Sequence, residues 1–183
     1  MEISEIPECL EGTRVLLKKH DINNAKLMYE LVVRDRERLS KFLPWPKKIE
    51  KVEDEEMFIK YCLDSWASFT ACQYAIYLKE TNQYIGNIGA FNFDTVNDCC
   101  EIGYLIFSEF EGRGYIIESL TILEKTLFSM GFHRLYILCD PANSKSNSIP
   151  KRLNYYYEGI QRESAKYNDM YNDLEVYSKL AEG

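Results

Sequence analysis

Histidine is scarce in this chain: His20 and His133 are the only two in 183 residues. Neither belongs to an H-E-x-x-H motif or to a zinc-spaced Cys/His cluster, so a histidine-built metal centre is not expected. Long apolar runs are missing too; none approaches the ~20 residues that a membrane-spanning helix needs. The stretch from Met1 to Cys9 carries Glu2, Glu5 and Glu8 and no basic residue ahead of an apolar segment. That is the reverse of a secretory or transit peptide, and a cytoplasmic location is the expectation. Positive charge is in deficit, with 22 Lys and Arg against 29 Asp and Glu and a net charge of -7. The balance argues against general attraction to nucleic acid and suits a basic or amine-bearing partner. The six cysteines, Cys9, Cys62, Cys72, Cys99, Cys100 and Cys139, include no C-x-x-C pair, and they read as reduced packing residues.

What is present is an ordinary globular composition, 46% hydrophobic and 28% charged. A chain of this length forms one domain that buries roughly 70% of its unfolded surface. Thr13 to Lys18 reads as a strand. Asp21 then caps a helix whose apolar positions are Ile22, Ala25, Leu27, Met28, Leu31 and Val32. Phe42-Leu43-Pro44-Trp45-Pro46 ends that segment in a stiff aromatic loop, because proline cannot continue the ladder. A second helix starts near Val52 behind the acidic run Glu53 to Glu56, with Met57, Phe58, Tyr61, Cys62 and Trp66 as its expected apolar stripe.

Three strands, Tyr74 to Leu78, Tyr84 to Phe91 and Cys99 to Phe107, are separated by turn-rich segments and form an antiparallel meander. A glycine turn follows, then a helix from Ile116 to Met130 stopped by Gly131. Leu135 to Cys139 is a buried strand and Ser144 to Leu153 a short helix. Tyr155 to Ile160 and Leu174 to Leu180 are closing strands. The order β-α-α-β-β-β-α-β-α-β-β predicts a mixed α/β fold, with a mostly antiparallel central sheet flanked by helices, in a single domain over residues 1–183.

The turn Gly112-Arg113-Gly114 leads from a strand into a helix. It presents unpaired backbone N–H groups at the positive end of the helix dipole, a seat for a phosphate or pyrophosphate. By itself G-x-G also fits a plain tight turn before a core helix. Walker A is excluded by the missing G-K-[ST], and a dinucleotide fingerprint by the missing G-x-G-x-x-G.

Glu111-Gly112-Arg113-Gly114-Tyr115-Ile116 resembles the Q/R-x-x-G-x-G/A coenzyme A loop of GNAT superfamily N-acetyltransferases. The element order is similar as well. The segment from Asn143 to Tyr155 resembles the family's N-x-x-S-x-x-hydrophobic segment, Glu101-Ile102-Gly103-Tyr104 its fourth strand, and Phe42 to Pro46 the early loop of the RimJ/RimL branch. The likeness runs from about Thr13 to Leu180. It implies acetyl-CoA as co-substrate, with no metal. Glu111 to Ile116, Ile106, Phe107 and Asn143 would contact the coenzyme, and a backbone N–H near Ile106 would meet the carbonyl oxygen. Many GNAT enzymes hold a tyrosine, the acid for the departing thiolate, where this chain has Pro150. The resemblance passes that role to Ser146. RimL-like relatives carry a carboxylate base near the place of Ala165, so the base here lies elsewhere.

Acetyl transfer to an amine needs a neutral nucleophile, stabilisation of developing oxygen charge, and a proton for the leaving group. Glu101, an acid within an apolar strand, is a candidate base or amine-orienting residue; the alternative is a strand acid facing the surface or a hydrogen-bond partner in the core. Glu163 is a second candidate. Ser146 and Asn143 can also serve simply as caps of the short helix. Arg113 touches a phosphate or faces solvent, and Trp45 and Asp173 are candidates for the acceptor side. Tyr155-Tyr156-Tyr157 reads as strand packing, and Cys139 lacks a histidine partner for covalent chemistry. The expected function is an N-acetyltransferase for a protein N-terminal amine, with a homodimer possible. The alternatives are a polyamine or aminoglycoside acetyltransferase and a non-catalytic coenzyme-binding module.

Overall fold

A computed structural model describes residues 3, 5–167 and 169–182. Strands β1 (Cys9–Glu11) and β2 (Val15–Lys19) lead through a 3-10 turn, Ile22–Asn24, into helix α1 (Ala25–Leu39) and then α2 (Val52–Ala67). Strands β3 (Cys72–Leu78), β4 (Tyr84–Asp94) and β5 (Cys99–Ile106) follow, then α3 (Tyr115–Ser129), β6 (Arg134–Cys139), α4 (Ser144–Arg152), β7 (Tyr156–Tyr167) and β8 (Met170–Leu180). One eight-stranded sheet results, in the order β1-β2-β3-β4-β5-β6-β8-β7. Among the described residues its one parallel pair is β5 with β6.

Local chemistry accounts for the boundaries. Asp21 accepts a hydrogen bond from Asn23 N, so it caps the 3-10 turn rather than the α-helix itself. Asp54 accepts from the N–H groups of Glu50 and Lys51 and closes the start of α2. The N-terminus of α3 is set by Gly114, whose φ of +78° suits a residue without Cβ. Leu120, Leu123 and Leu127 on α3 are fully buried, as their spacing predicts.

Beyond the cap at Asp21, three expectations need correction. A short strand, β1, precedes the first predicted one; three residues are too few to show alternation, and it exists by pairing Cys9 with Lys18. The closing strands are longer than predicted, because β7 and β8 extend into a hairpin whose outer residues are mostly polar and exposed, with Met170 and Tyr171 also exposed, so no buried alternation marks them. The stripe of α2 is also turned from the expected one. Met57 and Tyr61 are 71% and 59% exposed, whereas Glu55 and Ile59 are buried with Cys62 and Trp66. A glutamate at the buried position hides the true i, i+4, i+7, i+11 face from a hydrophobicity reading.

The feature that positions the site lies between β5 and β6. They pair only from Cys99↔Arg134 to Glu101↔Tyr136, while β6 stays paired with β8 along its whole length. Beyond Glu101 the two strands part and a wedge opens in the sheet.

Candidate active site

The wedge holds a cleft of about 700 Å³ that runs from the coenzyme loop past Ser146 to Glu101. At one end Gly112 and Gly114 have φ of +73° and +78°, a conformation that turns backbone amides toward a common point. No side chain caps the first turn of α3, so its N–H groups are directed at the cleft, where an anion is favoured. Arg14 braces the loop. Its Nη1 donates to the Arg113 carbonyl at 3.0 Å, its Nε to Glu118 at 2.8 Å, and its guanidinium lies over the Tyr115 ring. Burial opposes ionisation of Glu118, but bonds from the Arg14 and Val15 amides and the Arg14 side chain hold its carboxyl below the ordinary range.

A second brace ties α1 to the same loop. Arg38 bonds Asp35, Glu111 and the Ile106 carbonyl, Asp35 accepts from Ser108 N, and Lys145 at the start of α4 reaches Glu111 from across the cleft. Glu111 therefore acts as a fixed anionic post between two cations.

Along the wedge the edge of β5 is available. Phe107 N donates to the Ile85 carbonyl on β4, whereas the Ile106 carbonyl points away to Arg38. Alternation then turns the N–H groups of Ile106 and Tyr104 toward the open side, past the last β5–β6 pair at Glu101. Ser146 stands across from them. Its Oγ is 3.3 Å from Cys139 Sγ and 3.4 Å from the Tyr104 hydroxyl, and Tyr104 OH donates to the Ser146 carbonyl at 3.2 Å. Asn143 accepts from Ser146 N at 3.2 Å, which caps α4 and fixes the serine at the cleft wall. Burial pushes the Tyr104 phenol well above its ordinary value, and the Cys139 thiol is raised for the same reason. Both stay protonated at neutral pH, which denies Cys139 a role as nucleophile.

Glu101 lies at the far end, where the strands part. Asn92 Nδ2 donates to its Oε2 at 3.0 Å. Burial raises the carboxyl's pKa, partly offset by that hydrogen bond.

Of the residues expected from the sequence, Glu101, Ile106, Glu111, Gly112, Gly114, Tyr115, Ile116, Asn143 and Ser146 line one cleft. Four do not. Phe107 is 2% exposed, with its N–H spent on Ile85 and its ring against Tyr84. Arg113 offers its carbonyl to Arg14. Trp45 packs against the hydrophobic core, while Phe42 and Leu43 of the same loop face the cleft instead. Asp173 accepts from Glu163 N at 2.7 Å, fixing the irregular stretch of β7 where Glu163 has φ of +50°, and its neighbour Leu174 is the one at the cleft. Sequence reasoning missed Arg38, Phe91 and Tyr104. The strand alternation that singled out Glu101 could have drawn Phe91 in, but the reach of Arg38 from α1 has no local signal.

Comparison with known proteins decides the family: residues 14–155 match the model described as an acetyltransferase (GNAT) domain. The chain belongs to the GNAT acetyltransferases. It is similar to the ribosomal-protein-serine acetyltransferase of Escherichia coli (strain K12), 25% identical over 159 residues that cover 86% of this chain and 88% of the relative. YdaF of Bacillus subtilis (strain 168), provisionally named a ribosomal N-acetyltransferase, is 28% identical over 174 residues, 94% of each chain. Among solved structures, RimL, a ribosomal L7/L12 alpha-N-protein acetyltransferase in complex with coenzyme A, superposes with a TM-score of 0.89 at 23% identity, covering 94% of this chain and 98% of its own. These likenesses place the chain in the RimJ/RimL branch of the family, whose chemistry is acetyl transfer from acetyl-CoA. The residues present fit that co-substrate: a glycine cradle with open amides at one end, an unpaired strand edge along the middle, and a serine hydroxyl opposite it. Among the described residues, no group of three His, Cys, Asp or Glu side chains is placed to hold a metal ion.

Proposed function

We propose that this enzyme acetylates the α-amine of a protein N-terminus, in the cytoplasm, with Glu101 receiving the acceptor's proton and Ser146 supplying one to the leaving thiolate. The observation that carries the reading is the placement of these two groups in one cleft, with the open N–H edge of β5 between them. The coenzyme, when bound, supplies a thioester carbonyl. The amides of Gly112 to Ile116 hold its diphosphate. The N–H groups of Ile106 and Tyr104 offer donors where oxygen charge develops. Tyr104 anchors the backbone of Ser146 and faces its hydroxyl, which keeps Oγ aimed along the wedge.

A terminal amine suits this site chemically. An α-amino group has a pKa of ~7.7–8.0 against ~10.4 for lysine, so a single carboxylate with a raised pKa is sufficient to accept the proton near neutrality. The names of the relatives point the same way, since both the Escherichia coli enzyme and RimL act on ribosomal proteins.

The test is steady-state kinetics on N-terminal peptides beside a polyamine and an aminoglycoside. Ser146→Ala is expected to lower kcat by ~10²-fold while leaving acetyl-CoA affinity intact. Glu101→Gln should lower kcat similarly and abolish the acidic limb of the pH profile. Transfer confined to the polyamine or aminoglycoside would overturn the acceptor assignment, and full activity of both variants would overturn the roles.

A further inference from the structure

A second cavity adjoins the acceptor end of the cleft. It has a volume of about 430 Å³ and lies between the end of α2 and the start of β3, walled by Tyr61, Thr70, Gln73, Phe91, Asn92 and Phe93. Phe91 lines both cavities. Its partner across the β4–β5 ladder is Glu101, and its ring stands over Gly103, where an added Cβ would come within 2.9 Å of Cε1. The glycine thus lets the ring lie down as a floor between the two spaces. Asn92, at φ +54° in the irregularity of β4, swings its amide onto Glu101 while also lining the second cavity.

We infer that this second cavity is the subsite for the second and third residues of a peptide acceptor. The inference rests on the proposed peptide N-terminus and deepens it. Its geometry is that of a continuation: an amine placed at Glu101 puts the next residues ~3.5 and ~7 Å further along an extended chain, across the Phe91 ring. Its chemistry is that of a peptide. The lining offers the amides of Gln73 and Asn92, each with both donor and acceptor atoms, the hydroxyls of Thr70 and Tyr61, and two phenylalanine faces, with no charged side chain. Such a surface pairs with backbone C=O and N–H groups and with small uncharged side chains. A second ammonium group of a polyamine would meet no carboxylate there. The volume falls within the ~300–1,000 Å³ of ordinary ligand pockets.

The experiment is a length series at saturating acetyl-CoA: an amino-acid amide, a dipeptide amide and a tetrapeptide amide of one uncharged sequence, with wild type, Tyr61→Ala and Gln73→Ala. Tyr61 is 59% exposed, so its truncation leaves the fold intact. In the wild type kcat/KM should rise with length, by about three- to tenfold for each hydrogen bond gained. In the variants the rise should shrink through KM, with kcat, acetyl-CoA affinity and activity on the single-residue amide unchanged. Length-independent kcat/KM, or an equal loss on the shortest acceptor, would overturn the subsite while leaving the N-terminal acceptor standing. Absence of transfer to every peptide would overturn the acceptor reading itself and the subsite with it.

Discussion

Glu101 and Asn92 form a pair in which one side chain sets the proton affinity of the other. Burial favours the neutral carboxyl, and the Asn92 hydrogen bond favours the carboxylate. If Glu101 is the base, activity falls as pH drops through its raised pKa. Asn92→Ala, by removing the opposing bond, should then move the acidic limb of kcat/KM to higher pH; an unmoved limb assigns the limb to another group. The sequence allowed Glu101 to be singled out because an acid inside an apolar strand is unusual, and Ser146 because its segment resembles a family motif. It could not show that Trp45, Asp173 and Phe107 lie off the cleft, or that the Arg113 carbonyl is held by Arg14. Each is diverted by a partner distant in sequence or by a neighbour that takes its place, such as Leu174 beside Asp173 or Phe42 and Leu43 beside Trp45. Alternation and loop chemistry carry no information about such competition.

At the scale of elements, the site depends on two braces that hold the coenzyme loop, one from β2 through Arg14 and one from α1 through Arg38. Arg38 joins Asp35, Glu111 and the end of β5, so Arg38→Ala should cost about 2 kcal/mol of stability, read from urea unfolding. It should also weaken acetyl-CoA binding. Unchanged binding would mean that the loop keeps its shape without the brace. Most elements were legible because helix caps, proline stops and glycine turns are local. The order of strands and helices follows the reading, apart from the added β1. The failures are informative. Strand β1 is defined by its partner rather than by its own pattern, and α2 buries Glu55, which broke the periodicity on which its stripe was judged. The wedge itself arises where β6 leaves β5 for β8 alone, a property of pairing that no single segment encodes.

At the scale of the whole molecule, two of the buried titratable groups, Glu55 and His20, have opposite pH signatures. Glu55 is 1% exposed and burial, helped by Asp54, raises its pKa to about 7. Its folded form prefers the proton, so stability is greatest below the unfolded value near 4.5 and is lost as pH rises to about 7. Glu55→Gln removes that loss and should make the protein more stable than wild type at pH 8, by up to about 3 kcal/mol, and closely similar at pH 4. His20 is 5% exposed and burial lowers its pKa to about 4; it withdraws stability as pH falls from 6.5 toward 4. Thermal melts across pH 4 to 8 check both, and a variant less stable than wild type at pH 8 contradicts the burial argument for Glu55.

The central claim is that one cleft joins a diphosphate seat at Gly112 to Ile116 with an amine site at Glu101. It is tested most directly by incubating the enzyme with acetyl-CoA and a peptide that bears both a free N-terminus and an internal lysine, and locating the product acetyl group by fragmentation mass spectrometry. Wild type should place the acetyl group on the α-amine, and Gly114→Glu, which strains the coenzyme loop at a positive φ and sets an acid beside the Arg14 brace, should give no product. An acetyl group on the lysine, or undiminished transfer by Gly114→Glu, would contradict the account.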